Sequence, residues 1–83
     1  MTFKLMTVDV NELRRGDYVL NRFDDGCYLI QEINYSWLHH HKFIMVYFPH
    51  KWSSDRHDKF FIHDMKGTRK ICRLVDGDDK NGN

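Results

Sequence analysis

Short β-prone runs separated by turn signals recur along the whole chain, and this punctuation constrains the fold more than any other feature. The first run is FKLMTVDV (3–10). YVLNRF (18–23) and CYLIQEI (27–33) follow, separated by DDG. Next come a run at 41–48, KFFIH (59–63) and RKICRLV (69–75), the last two flanking DMKGT. Glycine takes positive φ without steric cost, so Asp-Gly between two such runs is a strong hairpin signal. No segment offers three turns of helical periodicity, and no internal repeat is visible. Only NELRRGD (11–17) reads as a single helical turn, capped by Asn11 and broken by Gly16. Strands are expected near 3–10, 17–23, 27–34, 41–48, 59–63 and 69–75, a spacing typical of all-β barrels and sandwiches.

A chain of 83 residues has room for one domain. With 41% hydrophobic and 14% aromatic residues it can pack a small core unaided. That domain is expected over 1–75. DGDDKNGN (76–83) has no apolar residue and reads as a disordered acidic tail. The expected fold class is all-β, a small curved antiparallel barrel of five or six strands with one short helical turn. ELRRGDYVL (12–20), the DDG hairpin and CYLIQEI resemble the opening of SH3-like barrels, KOW and Tudor-type modules among them. In those a Gly-Asp-x-hydrophobic element starts a strand that turns back through a glycine hairpin, here Gly16, Asp17, Val19 and Gly26. The resemblance covers residues 12–33. It implies an SH3-like architecture and leaves function open.

The longest apolar run, Phe43 to Phe48, is far too short to span a bilayer, so no membrane role is expected. Cys27 and Cys72 stand in no CxxC spacing, and no basic–apolar–small leader precedes the chain. Both are expected as buried thiols of a cytoplasmic protein. The formal net charge is +1; the tail, with three aspartates and one lysine, contributes −2, which leaves +3 on the other 75 residues. Lys66, Arg69, Lys70 and Arg73 gather in one short segment, a mild basic bias well below that of a dedicated nucleic-acid binder.

Six histidines raise the question of metal. Imidazole suits zinc, copper and nickel. On a strand His39 and His41 share one face, and His63 reaches them from the next strand. Against this trio, no zinc spacing is present. No carboxylate stands beside His39 to His41 to set their tautomers, and Asp64, next to His63, is expected to face away from it. No metal and no cofactor are therefore expected, with a histidine-based metal-binding protein on His39, His41 and His63 as a further alternative. Enzymatic function is not expected either. The cysteines sit inside strands, Ser53 and Ser54 lack a GxSxG elbow, Asp24 and Asp25 read as turn formers, and there is no glycine-rich phosphate loop.

In the run 41–48, Ile44, Val46 and Phe48 alternate with Phe43, Met45 and Tyr47, and both sets are apolar. A sheet with one solvated face should be polar on one of them. In a small barrel one set reaches the interior, and the other must be covered by a loop, a ligand, a partner or a second copy of the chain. Trp37 and Trp52 flank the run, with Lys42, Lys51 and Arg56 nearby. Large amphipathic residues of this type are enriched at binding hot spots; the alternative is that both tryptophans fold back as lids on the barrel ends. The expected partner surface is thus Trp37, Lys42, Phe43, Met45, Tyr47, Lys51, Trp52 and Arg56, in a non-catalytic protein-interaction module or a homodimer. Its size and lack of motif also fit a phage or mobile-element accessory protein acting on a host protein. The second reading is a nucleic-acid-binding barrel with stacking aromatics and the cations Lys66, Arg69, Lys70 and Arg73.

Overall fold

The computed structural model describes residues 1–21, 26–49 and 56–76. Six strands form one antiparallel sheet: β1 (Thr2–Asp9), β2 (Tyr18–Asn21), β3 (Gly26–Ser36), β4 (His41–Tyr47), β5 (His57–Phe61) and β6 (Thr68–Val75). Their order across the sheet is β1-β6-β2-β3-β4-β5. The all-β antiparallel expectation holds, and each anticipated run is a strand. The barrel, however, is not closed. β6 lies between β1 and β2, so β1 is pushed outward to one edge while β5 forms the other, and no ladder joins them among the described residues. The DDG turn (residues 24–26) falls largely outside the described residues, but β2 and β3 pair antiparallel up to Asn21↔Gly26 as a hairpin would. The tail expected at 76–83 lies outside them except for Asp76. Among the described residues no helix is long and apolar enough to cross a membrane.

Two 3-10 turns interrupt the strands, where one helical turn was expected. The first, Val10–Glu12, is capped by Asp9 and not by Asn11. Asp9 is extended, and its carboxylate accepts the Asn11 N–H at 2.8 Å, while Glu12 Oε1 accepts the Asp9 N–H at 3.3 Å. This is a reciprocal capping box, in which each side chain satisfies a backbone donor of the other residue. Asn11 sits inside the turn, and its amide only supports the cap, donating to Asp9 Oδ1 at 3.0 Å. The second, Ile62–Asp64, takes the end of what was expected to be strand 59–63.

Gly16 occupies the third position of the turn Arg14–Asp17, closed by Asp17 N–H donating to the Arg14 carbonyl at 3.1 Å. Its φ of 94° is the conformation a type II turn requires there. The turn then clips onto β3: Gly16 N–H donates to the Ile30 carbonyl and Ile30 N–H to the Asp17 carbonyl. Beneath it Asp17 is buried, 1% exposed. Its carboxylate accepts Arg73 Nε and Nη2 from β6, both at 2.9 Å, and the Arg14 N–H at 2.8 Å. The Gly-Asp pair therefore ties three distant pieces of backbone together.

The core lies on one face of the sheet. Val19, Ile30, Ile44, Val46 and Ile71 are fully buried, and Val10, Leu13 and Ile62 cover them from the turns. A bulge places it. The β3–β4 register passes from Ile30↔Val46 to Glu32↔Met45, leaving Gln31 as the extra residue. Without that extra residue Ile30 and Ile33, three positions apart, would face opposite sides; with it both pack on the core. Tyr28, 5% exposed, closes one side against Phe48 and Phe60. Burial raises its phenol above the ordinary 10.0, with the nearby Arg69 acting in the other direction. A raised acid is held protonated in the folded state, so its contribution is fully present below pH 10.0 and is lost as pH climbs from there through the raised value. Urea unfolding followed between about pH 8 and pH 11 should show this alkaline loss, and Tyr28→Phe should flatten it. An unchanged slope in Tyr28→Phe would assign the loss to other groups.

Candidate interaction surface

Side chains directly opposite one another across a ladder share a face. The registers therefore link one row across all six strands: Leu5, Cys72, Tyr18, Leu29, Tyr47 and His57. All six lie on the face opposite the core. On that face also stand Phe3 paired with Leu74, Leu20 paired with Cys27, and Phe43 paired with Phe61. Phe3, Leu5, Leu20 and Leu74 are exposed. Tyr18, Leu29, Phe43, Met45, Tyr47 and Phe61 are half-buried. The apolar outer set read from 43–47 thus belongs to a mixed outer face with apolar residues in each strand, where Glu32 and Asn34 stand opposite Met45 and Phe43 and Lys70 opposite Thr7.

Around β4 the face has defined local packing. Phe43 and Phe61 meet at 5.7 Å, and Lys59 Nζ lies over both rings, 5.1 and 5.6 Å from their centroids. Lys59 thereby keeps its charge in water while its stem lies along the two rings. Tyr47 packs on His57 at 5.1 Å, and its hydroxyl accepts Arg56 Nη1 at 3.3 Å. Phe43, Met45, Tyr47 and Arg56 are therefore brought together as expected. Lys51 and Trp52 lie outside the described residues.

Trp37 is placed elsewhere. It sits in the turn 37–40 and packs edge-on against Tyr35 at 5.0 Å. Tyr35 is paired with Lys42, and alternation puts this pair on the opposite side of the hairpin from Phe43. Trp37 and Lys42 thus do not continue the strip of Phe43, Met45 and Tyr47. Nor is Trp37 a lid, for it is 80% exposed. Trp37→Ala should change unfolding free energy by no more than about 0.5 kcal/mol, as surface substitutions do. A calorimetric loss of several kcal/mol would contradict this exposure.

The histidines meet, but as stacked rings. His41 and His63 lie at 3.8 Å between centroids with 24° between planes, and His39 packs on Phe61 at 5.3 Å. Ring nitrogens point outward in the ring plane, so two near-parallel imidazoles do not aim their lone pairs at one ion. His39 Nδ1 already bonds Ser36 Oγ at 3.0 Å. The expectation that Asp64 faces away from His63 is overturned: in the second 3-10 turn the two side chains meet at 3.3 Å. Alternation by strand does not apply there, because a 3-10 turn rotates each residue by about a third of a turn. Among the described residues no group of three His, Cys, Asp or Glu is placed to hold a metal ion.

The four cations of the nucleic-acid reading do not gather. Lys70 pairs with Thr7 on the outer face, whereas Arg69 and Arg73 fall on the opposite one. Arg73 is committed to Asp17, whose hydrogen bonds raise it further above its ordinary value against the opposing effect of burial. Arg69 Nη1 donates to the carbonyls of Lys66 and Thr68. Cys27 and Cys72 form no disulfide and are half-buried, not buried as expected, because their parity puts them on the outer face. Compared with known proteins, the chain matches no family model, no curated protein and no solved structure.

Sequence reasoning missed Lys59, Phe61, Tyr18, Leu29 and the exposed leucines. The signal was present: YVL and CYLI are apolar at both parities, as FIMVY is.

Proposed function

We propose that this chain is a small non-catalytic interaction module that binds a partner protein with the outer face of its sheet, centred on Phe43, Met45, Tyr47 and Phe61. One observation carries the reading: the face away from the core bears apolar side chains in every strand, Phe3, Leu5, Leu20 and Leu74 among them exposed, even though Glu32 and Asn34 stand opposite Met45 and Phe43. An apolar patch of such extent on a small protein marks an interaction site, since exposing it to water is unfavourable at about 25 cal/mol per Å². The architecture of that module is SH3-like. In support, β2 to β5 run as a meander and β6 returns through a 3-10 turn to lie beside β2. The dispersal of Lys66, Arg69, Lys70 and Arg73 favours protein over nucleic acid as partner, because phosphate binding needs cations gathered along a track.

Immobilised protein is incubated with lysate, with and without nuclease, and the captured partner is then titrated against variants. Phe43→Ala and Tyr47→Ala should each weaken binding by about 2 kcal/mol or more, with folding retained. Capture that vanishes with nuclease or with moderate salt would replace this reading with phosphate binding.

A further inference from the structure

Beside the Arg14–Asp17 turn lies an open groove of about 560 Å³, where outer-face side chains meet the Asp17–Arg73 pair. Its apolar lining is Phe3, Tyr18, Leu29 and Leu74. Phe3 and Tyr18 meet edge to face at 5.9 Å and form one wall. Arg14, Arg15 and Arg73 also line it, with Gly16 and Asp17. The charges there are not equivalent. Arg73 and Asp17 neutralise each other through two hydrogen bonds of 2.9 Å. Arg14 and Arg15 are exposed, and no carboxylate pairs with either guanidinium among the described residues. The groove therefore offers an apolar floor under two uncompensated positive charges.

We infer that this groove takes an acidic segment of a partner protein, an apolar side chain seated on Phe3, Tyr18, Leu29 and Leu74 with flanking carboxylates on Arg14 and Arg15. The inference rests on the interaction-module reading and gives the partner a chemistry. Charge complementarity argues for it: guanidinium groups present planar forks of donors that match a carboxylate's two oxygens. Location argues for it too, since Leu29 in the groove is paired with Tyr47 of the β4 strip. A segment lying in the groove continues directly onto the strip. The groove is open and shallow, with room for a side chain or two. A nucleic-acid strand is the poorer occupant, because the two cations stand at one point and no further unpaired cation lines the groove.

Fluorescence polarisation tests this with three labelled peptides and one labelled single-stranded oligonucleotide. The first peptide alternates glutamate with leucine and phenylalanine. The second replaces its glutamates with lysine, and the third replaces its apolar residues with serine. Only the first peptide should bind the intact protein. The double variant Arg14→Glu/Arg15→Glu should weaken it by about tenfold or more, and Leu74→Ser should also weaken it. Should the charge reversal disturb melting, Arg14→Gln/Arg15→Gln should give a smaller loss in the same direction. No binding of the first peptide, equal binding of the second or third, or oligonucleotide binding with the same arginine dependence would each overturn the inference. So would a protein that dimerises through this face and is not displaced by the first peptide. Partner capture that still depends on Phe43 while the first peptide fails to bind removes the acidic-segment assignment and leaves the module reading standing.

Discussion

Replacing Asp17 by alanine is expected to cost about 3–5 kcal/mol of folding free energy, the range for removing one partner of a buried ion pair. The carboxylate is 1% exposed and Arg73 opposite it has a side chain 15% exposed, so the guanidinium left behind cannot regain full hydration. The same substitution orphans the Arg14 N–H, which now donates to Asp17 Oδ2. Arg73→Met should be similarly damaging, because it strands the buried carboxylate. The double variant Asp17→Ala/Arg73→Met removes both charges, and buried pairs replaced by apolar groups commonly break even. It should therefore be more stable than either single variant. Urea unfolding of the four proteins forms the cycle that measures this coupling. Additive losses would mean that the pair contributes no mutual stabilisation, and Asp17 would then act only through its backbone contacts. The pair also limits what charge reversal at Arg73 can report about binding, since such a variant fails first in folding.

Adjacent positions on β4 should respond in opposite ways. Ile44→Ala should lose about 2–5 kcal/mol, because Ile44 is completely buried and its neighbours Ile33 and Phe60 belong to two other strands that cannot collapse into the space. Met45→Thr, one residue along, should change stability by no more than about 1 kcal/mol, since threonine suits a strand and the methionine lies on the half-buried outer face. Its effect belongs in partner binding. Chemical denaturation and partner titration on the same two variants read both quantities. Equal stability losses at the two positions would mean that the outer face is covered within the monomer, and the docking argument would lose its basis.

Local signals sufficed for the strands. Short β-prone runs between turn signals announced all six, and the positive φ at Gly16 and Gly67 stands where the glycines were expected to turn the chain. The apolar character of both parities in 43–47 was also legible, because alternation is a property of the strand alone. Where local rules failed, the chain had left regular structure. Asp64 meets His63 because a 3-10 turn replaces the end of a strand. Trp37 leaves the strip because the turn 37–40 and the pairing Tyr35↔Lys42 assign its neighbour to the other face, and a shift of one residue in that register would reverse the assignment.

The sequence by itself determined that this is an antiparallel all-β protein with a strand apolar on both sides. Tertiary structure alone decided which residues that second side joins. Asp17 and Arg73 are 56 positions apart, and nothing near either residue names the other. The row from Leu5 to His57 exists only because β6 inserts between β1 and β2 and aligns Cys72 with both Leu5 and Tyr18. Strand order and register are set by long-range pairing, which places residues remote in sequence side by side, whereas turn chemistry and alternation act within a few residues.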